Sequence, residues 1–229
     1  MPIIITGAKG TIGRVLRNLG SAITPVDLPE IDARNPKDLA EVFPGHDAVV
    51  HLAWNTATEN WRSGQIDTDN ILMAYNVYET ALETGIPRVI MASSVHTDRF
   101  LSWKGEEPMS PLRIPMPTSP YGASKVFVEA LGRYYAEHRG LQVVCIRFGG
   151  VTPQNTITQE MLREEPILPR VWLSHQDCVS LVDACLRAEY IPHNFVVVYG
   201  VSNNPHKLHD IANPFGWSPK DSSRQFTSN

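Results

Sequence analysis

Tyr121 and Lys125 form a Y-x-x-x-K pattern, which is suited to acid–base chemistry on a hydroxyl group. Residues four apart lie on one face of a helix. Because a nearby ammonium favours the phenolate, we expect Lys125 to lower the pKa of Tyr121 and make it a general base near neutral pH. Ser94 ends an apolar run upstream. If that run is a strand of an open α/β sheet, the Ser94 hydroxyl lies at the ligand-binding edge and can polarise the same substrate oxygen.

A second site is predicted by the glycines of Thr6–Gly13, which directly follow a run of three isoleucines. Gly7 allows a tight turn, Gly10 lets the backbone approach a pyrophosphate, and Gly13 allows close helix–sheet packing. The free N–H groups and the dipole at the start of the next helix favour phosphate. We therefore expect the loop to bind a dinucleotide through Gly7, Lys9, Gly10, Thr11, Ile12 and Gly13.

Asp27 follows the second predicted strand, about 20 residues beyond the glycine loop. A carboxylate at this point hydrogen-bonds the ribose 2′-hydroxyl and repels a 2′-phosphate, so Asp27 favours NAD over NADP. The cations Lys9 and Arg14 lie nearby in the sequence and work against this preference.

Short apolar runs alternate with helical patterns, and this rhythm predicts an α/β Rossmann-type, doubly wound parallel sheet. We expect a dinucleotide-binding domain over residues 1–149 and a small C-terminal substrate-binding lobe over residues 150–229, within one structural unit. The proline-rich stretches 99–120 and 150–170 are expected to be long ordered loops. The polar tail from Ser218 is expected to fray.

Composition excludes several classes of partner. The net charge is -4 and no basic tract is present, so we expect no nucleic-acid partner. The three cysteines lack metal-ligand spacing, so we expect reduced thiols and no metal site. No apolar run reaches the ~20 residues that span a bilayer, and a strand and glycine loop open the chain where a signal peptide would stand. We therefore expect no membrane association and a cytoplasmic location.

Taken together, the motifs resemble the extended short-chain dehydrogenases of the NAD-dependent epimerase/dehydratase family. The matching segments are the TGAKGTIG loop, His51–Ala53, Asn70 at the start of a helix, Ala92–Ser94 and the YGASK segment. The resemblance implies that Ser94, Tyr121 and Lys125 are catalytic, with Asn70 in the active-site network. It also implies that NAD contacts Leu52, Ala53, Tyr121 and Lys125, and that two helices pair in a homodimer or higher homo-oligomer.

Finer similarities indicate the substrate. Ser93–His96 and Trp172–Asp177 are similar to segments of uronate dehydrogenases, and Tyr121–Tyr135 and Val198–Asn203 to segments of haloarchaeal NAD-dependent glucose-6-phosphate dehydrogenases. Both groups oxidise C1 of an aldose ring to a lactone. The resemblance therefore implies a sugar substrate, either an aldose or a sugar acid (a uronate or a sugar phosphate).

The substrate contacts implied by this resemblance are Ser94, Val95, His96 and Gly150. Val95 replaces an asparagine of the uronate dehydrogenases and Gly150 replaces a serine, which puts uronate itself in doubt. The arginine that those enzymes use for the carboxylate has no clear counterpart, and Arg163 and Arg170 are candidates. Trp54 and Trp61 are candidates for the pocket wall.

Two other functions are compatible with these motifs. A nucleotide-sugar epimerase, dehydratase or reductase shares the serine, tyrosine and lysine, but usually has a longer C-terminal part that grips the nucleotide. A non-catalytic dinucleotide sensor would need neither Tyr121 nor Lys125.

Overall fold

The computed structural model describes residues 1–56, 64–105 and 107–227, and within them one all-parallel sheet has the strand order β2-β1-β3-β4-β5-β6. The strands are β1 (Pro2–Thr6), β2 (Ala22–Val26), β3 (Ala48–His51), β4 (Arg88–Ser94), β5 (Gln142–Phe148) and β6 (Phe195–Gly200). The predicted Rossmann-type α/β fold is confirmed.

The helices are α1 (Thr11–Leu16), α2 (Pro36–Val42), α3 (Thr68–Glu83), α4 (Pro120–Arg139), α5 (Gln159–Glu164), α6 (Leu168–Val171), α7 (His175–Arg187) and α8 (Arg224–Thr227). Short 3₁₀ turns cover Val95–Thr97, Phe100–Ser102 and Pro192–Asn194. The two stretches expected to be loops are therefore partly helical, because 99–120 includes a 3₁₀ turn and 150–170 includes α5 and α6.

The sheet is buried on both faces, since alternate strand residues enter two different cores. Ile3 and Ile5 pack with α1 and α7, whereas Ile4 packs with α2, α3 and α4. Strands covered on both sides need apolar residues at every position, which is why the isoleucine run reads as a continuous apolar segment rather than an alternating one.

The segment expected to form a C-terminal lobe is divided between the sheet and the region above it. Helix α7 and strand β6 complete the sheet and its covering layer. The remaining parts, α5, α6 and the stretch after β6, pack around two smaller apolar clusters beyond the carboxyl edge of the sheet.

The expectation of a frayed tail from Ser218 is wrong for residues 218–227. Asp177, at the start of α7, accepts hydrogen bonds from the backbone N–H groups of Lys220 (2.8 Å) and Asp221 (3.1 Å). Ser223 is fully buried and donates to the Pro169 carbonyl at 2.7 Å. The polar residues of this segment hold it in place because they form hydrogen bonds with buried partners. Composition alone does not reveal those partners.

Within the described residues, no helix has the length and apolar character needed to cross a membrane.

Candidate active site

A continuous cleft lies along the carboxyl edge of the sheet, around the point where the strand order reverses between β1 and β3. Open α/β sheets bind ligands at such a point. One end of the cleft, the adenosine end, is a cavity of about 410 Å³. The other, the catalytic end, measures about 900 Å³. Gly7, Gly10, Leu52 and Trp54 line both ends.

The glycine loop leaves room for a ligand at Gly10. A Cβ atom on Gly13 would lie 2.5 Å from the Gly7 carbonyl oxygen, so Gly13 serves close packing within the protein. A Cβ on Gly10 would meet that same oxygen at 3.3 Å and no other atom within 4 Å outside its chain neighbours, so it would project into the cleft. No side chain caps the N-terminus of α1. The loop therefore fits a pyrophosphate at Gly10 and the first N–H groups of α1.

Asp27, Leu52 and Ala53, the residues expected to contact the adenosine of the cofactor, line the adenosine end. The Asp27 carboxylate accepts hydrogen bonds from the backbone N–H groups of Lys9 (2.7 Å) and Leu28 (2.8 Å). Lys9 also lines the adenosine end, and its ammonium donates to the Leu28 carbonyl and to Glu30. Asp27 is therefore held by the backbone of the glycine loop.

Ser94, Tyr121 and Lys125 all line the catalytic end of the cleft. Ser94 ends β4, and its side chain caps the following 3₁₀ turn by accepting from the His96 N–H at 3.2 Å. Tyr121 lies in the first turn of α4, which Ser119 caps. Lys125 is buried, donates to the Ala92 carbonyl at 2.8 Å and lies 3.3 Å from the centroid of the Trp54 ring.

The pKa of Tyr121 does not follow the expectation from its spacing to Lys125. Burial raises this pKa above its ordinary value, and a hydrogen bond with Ser94 works in the opposite direction. Burial also lowers the pKa of Lys125 well below its ordinary value. The Lys125 ammonium is 5.9 Å from the centroid of the Tyr121 ring and is bound to a carbonyl and an indole instead. The predicted lowering of the tyrosine pKa is therefore wrong for the protein alone, because desolvation of the phenol dominates.

The substrate-contact candidates around Ser94 also reach the catalytic end. Val95, His96, Gly150 and Arg170 line it, and the His96 ring lies edge-on to Tyr121 with centroids 5.6 Å apart. Burial lowers the pKa of His96, so its neutral form is favoured. Val95 is part of an apolar cluster with Phe100. The pocket therefore offers an imidazole and an apolar wall beside Tyr121.

Two of the candidate site residues, Arg163 and Asn70, do not line the cleft. Arg163 is exposed on α5 and does not line either part of the cleft. Asn70 is buried at the start of α3, where its amide accepts from the Asn55 N–H (2.6 Å) and donates to the Asn55 carbonyl (3.2 Å). Asn70 therefore holds the chain after β3, and Asn55 lines the adenosine end. Trp61 lies outside the described residues.

Sequence reasoning missed the buried polar cluster next to Ser94. Arg147 on β5 is 1% exposed and forms ion pairs with Glu129 and Asp98. Two signals were present: Arg147 interrupts the apolar run of residues 143–148, and Glu129 follows Lys125 by one helical turn. Neither signal shows that Arg147 pairs with Glu129 and Asp98, which are distant from it in the sequence.

Comparison with known proteins gives one family. The profile of the "NAD dependent epimerase/dehydratase family" matches residues 3–163. L-arabinose 1-dehydrogenase (NAD(P)(+)) of Haloferax volcanii is 34% identical, over 96% of this chain and 97% of that protein. The NAD-dependent glucose-6-phosphate dehydrogenase of the same organism is 30% identical, over 99% and 95%. The crystal structure of uronate dehydrogenase from Agrobacterium tumefaciens matches with a TM-score of 0.79 at 30% identity, over 98% of this chain and 86% of that one.

Substituting Gly10 tests the glycine loop directly. Gly10→Ala places a methyl group in the open part of the cleft, so we expect the Kd for NAD to rise at least about tenfold, or about 1.4 kcal/mol. Stability should change by no more than about 1 kcal/mol, since the methyl group meets one carbonyl oxygen. Calorimetric titration and urea unfolding measure the two effects.

The matched control is Gly20→Ala, because Gly20 is exposed and a Cβ there meets only the Arg187 side chain at 4.0 Å. It should leave NAD affinity unchanged. Equal affinity in Gly10→Ala and the unmodified protein would show that the dinucleotide does not bind along this loop.

Proposed function

The chain belongs to the NAD-dependent epimerase/dehydratase family, and from this premise we propose that it is an NAD-dependent dehydrogenase that oxidises C1 of an aldose or sugar acid to the lactone. The observation that carries the proposal is the convergence of Ser94, Tyr121 and Lys125 on one cavity that continues into the glycine loop. A hydroxyl, a phenol and an ammonium beside a dinucleotide cleft are the groups needed to remove the proton of an alcohol during its oxidation.

The cofactor assignment follows from the adenosine end of the cleft. Gly10 and the uncapped start of α1 would hold the pyrophosphate, and Asp27 would accept a hydrogen bond from the ribose 2′-hydroxyl. Leu52 and Ala53 would lie beside the adenosine. When bound, NAD supplies the acceptor for the hydride that leaves C1. A carboxylate at Asp27 disfavours a 2′-phosphate, which supports NAD over NADP.

In the proposed mechanism the side chains of the protein accept the hydroxyl proton and hold the sugar oxygen in position. Ser94 donates a hydrogen bond to the C1 oxygen, and Tyr121 takes the proton from the same hydroxyl group. Lys125 is anchored to the Ala92 carbonyl and the Trp54 ring, which limits where its ammonium can move. His96 lies edge-on to Tyr121 and is placed to contact a ring hydroxyl. The cavity wall formed by Val95 and Phe100 excludes water from one side of the site.

A nucleotide-sugar epimerase, dehydratase or reductase is less well supported. The dehydrogenases named above match nearly the whole of this chain and 86% to 97% of their own length. A sensor without catalysis is not supported by a cavity in which Tyr121 and Lys125 both line the wall.

We also propose a homodimer formed through α3 and α4. These helices pack together through stacked Tyr78 and Tyr135 rings, whose centroids are 4.9 Å apart. Large apolar side chains on both helices are 43% to 47% exposed: Leu72, Tyr75, Phe127 and Tyr134. An exposed apolar face of this kind marks an interaction site.

The buried free thiols of Cys145, Cys178 and Cys185 support a cytoplasmic location.

The first test of the proposed function is sugar-dependent NAD reduction. We expect absorbance of reduced nicotinamide to rise with at least one of glucuronate, galacturonate, glucose 6-phosphate or a free aldose. Tyr121→Phe should lower kcat about 10²- to 10⁴-fold, because the general base is lost.

Tyr190→Phe changes an exposed tyrosine that lines neither end of the cleft, and as the control it should keep full activity. No reduction with any of these sugars, despite tight NAD binding, would overturn the assignment and favour a nucleotide-sugar substrate.

The charge of the substrate can be tested at Arg170. This residue lines the catalytic end and its Nε donates to the His206 carbonyl at 2.7 Å, which fixes the side chain on one side. For a uronate or sugar phosphate, Arg170→Gln should raise KM about 10- to 100-fold, since a hydrogen bond to a charged group contributes about 1.5–3 kcal/mol. Initial-rate kinetics measure KM.

Arg163→Gln removes an exposed arginine outside the cleft and should leave KM unchanged. An equal rise in KM in both variants would mean that general surface charge, and not a contact in the cavity, attracts the substrate.

The dimer is tested by charging its apolar face. Phe127→Glu places a carboxylate in the interface of α4, so we expect the molar mass measured by light scattering to fall from dimer to monomer. Leu112→Glu changes a residue that is 92% exposed away from these helices, and it should leave the dimer intact. A monomer for the unmodified protein would contradict the proposal.

A further inference from the structure

A buried polar cluster lies between the sheet and α4, next to the catalytic cavity. The Arg147 guanidinium donates from Nε and from one terminal nitrogen to the Glu129 carboxylate, both at 2.8 Å. Its other terminal nitrogen donates to Asp98 and to the Tyr199 hydroxyl, both at 2.9 Å. Ser93 donates to Glu129 at 2.5 Å, and Tyr199 donates to Asp98.

The elements that this cluster joins are those that carry the catalytic residues. Ser93 and Asp98 lie on either side of the segment that contains Ser94 and His96. Glu129 lies on α4, one turn after Lys125 and two turns after Tyr121. Arg147 is paired with Ser93 in the register of β4 and β5.

We propose that Arg147 is a positioning residue of the dehydrogenase reaction: its guanidinium fixes the Ser94 segment and α4 relative to each other, and so sets the distance between Ser94 and Tyr121. This inference rests on the proposed function only for its kinetic consequence. The contacts that carry it belong to the protein alone.

The geometry of the Arg147–Glu129 ion pair explains why charged residues are found here, in the interior, where apolar residues would otherwise pack. Replacing a buried ion pair by apolar side chains is often neutral or stabilising, so stability alone does not require it. A bidentate guanidinium–carboxylate pair, however, is directional in a way that apolar contacts are not. It therefore fixes the rotation and translation of α4 on the sheet, which a cluster of aliphatic side chains would leave less defined.

Arg88, on the neighbouring strand β4, provides a matched control for Arg147 on β5. It begins β4, at the end remote from the cleft, and its guanidinium donates to Gln142 and to the carbonyls of Cys185, Leu186 and Ala188. Like Arg147 it ties a helix to the sheet through several hydrogen bonds. None of these partners among the described residues lines the catalytic end of the cleft.

The test compares Arg147→Lys with Arg88→Lys. Lysine keeps the charge but loses the bidentate geometry, so Arg147→Lys should lower kcat about 100-fold, the effect of a misplacement of about 1 Å. KM for NAD should stay within about twofold, because the glycine loop is not touched. Arg88→Lys should lower the melting temperature and leave kcat unchanged. Equal kcat in the two variants would reduce Arg147 to a structural residue and overturn the proposal.

Amide hydrogen exchange measured by mass spectrometry separates this inference from the proposed function. In Arg147→Lys, peptides covering residues 93–98 and 119–126 should exchange faster, whereas Arg88→Lys should leave both unchanged. If the unmodified protein reduces no NAD with any sugar, the proposed function fails, yet the exchange comparison still decides whether Arg147 holds the two segments. Unchanged exchange would overturn the proposal.

A milder variant covers the case in which Arg147→Lys does not fold. Tyr199→Phe removes one hydroxyl from the cluster and keeps the aromatic ring in the apolar cluster around it. It should lower kcat about threefold to tenfold and speed exchange of residues 93–98, because the hydrogen bonds of this hydroxyl with Arg147 and Asp98 are lost. Wild-type kcat and exchange in Tyr199→Phe would also contradict the proposal.

Discussion

The parallel arrangement of the sheet determines which residues can come together in the cleft. Because all six strands run in one direction, every strand ends at the same edge. Gly7 after β1, Asp27 after β2, Leu52 after β3 and Ser94 at the end of β4 are thereby gathered along one cleft, although the sequence spreads them over nearly 90 residues. The opposite edge carries contacts such as that of Arg88 with Gln142, which tie helix to sheet and lie away from the cleft.

The cost of this arrangement is that functional side chains must enter the protein interior. Lys125, Glu129, Arg147 and Asp98 are all buried, and burial of a charge is unfavourable unless it is paired. The structure meets this requirement with partners that come from different elements. Glu129 and Asp98 balance the guanidinium, and Glu129 also favours the protonated form of Lys125 by raising the pKa that burial lowers. The same buried ion pairs that stabilise these charges therefore also connect the elements that carry Ser94 and Tyr121.

Local patterns predicted much of the molecule from the sequence. The glycine spacing, the Y-x-x-x-K pair and the alternating apolar runs predicted the parallel sheet. Most of the candidate site residues line the cleft, although Asn70 and Arg163 do not. Contacts between distant residues were not predictable: the partners of Arg147 lie 18, 49 and 52 positions away. The wrong expectation for the Tyr121 pKa has the same origin, since a spacing of four indicates proximity to Lys125 but says nothing about burial. The ordered tail depends on Asp177, more than 40 positions upstream.

The most direct measurement follows the hydrogen that leaves the sugar. An aldose or sugar acid deuterated at C1 is incubated with the protein and NAD, and the reduced nicotinamide is examined by mass spectrometry. We expect the reduced cofactor to gain one deuterium and the sugar to be recovered as the lactone or its hydrolysis product. Reduced nicotinamide without deuterium, or a sugar that is epimerised or dehydrated with its oxidation state unchanged, would contradict oxidation at C1.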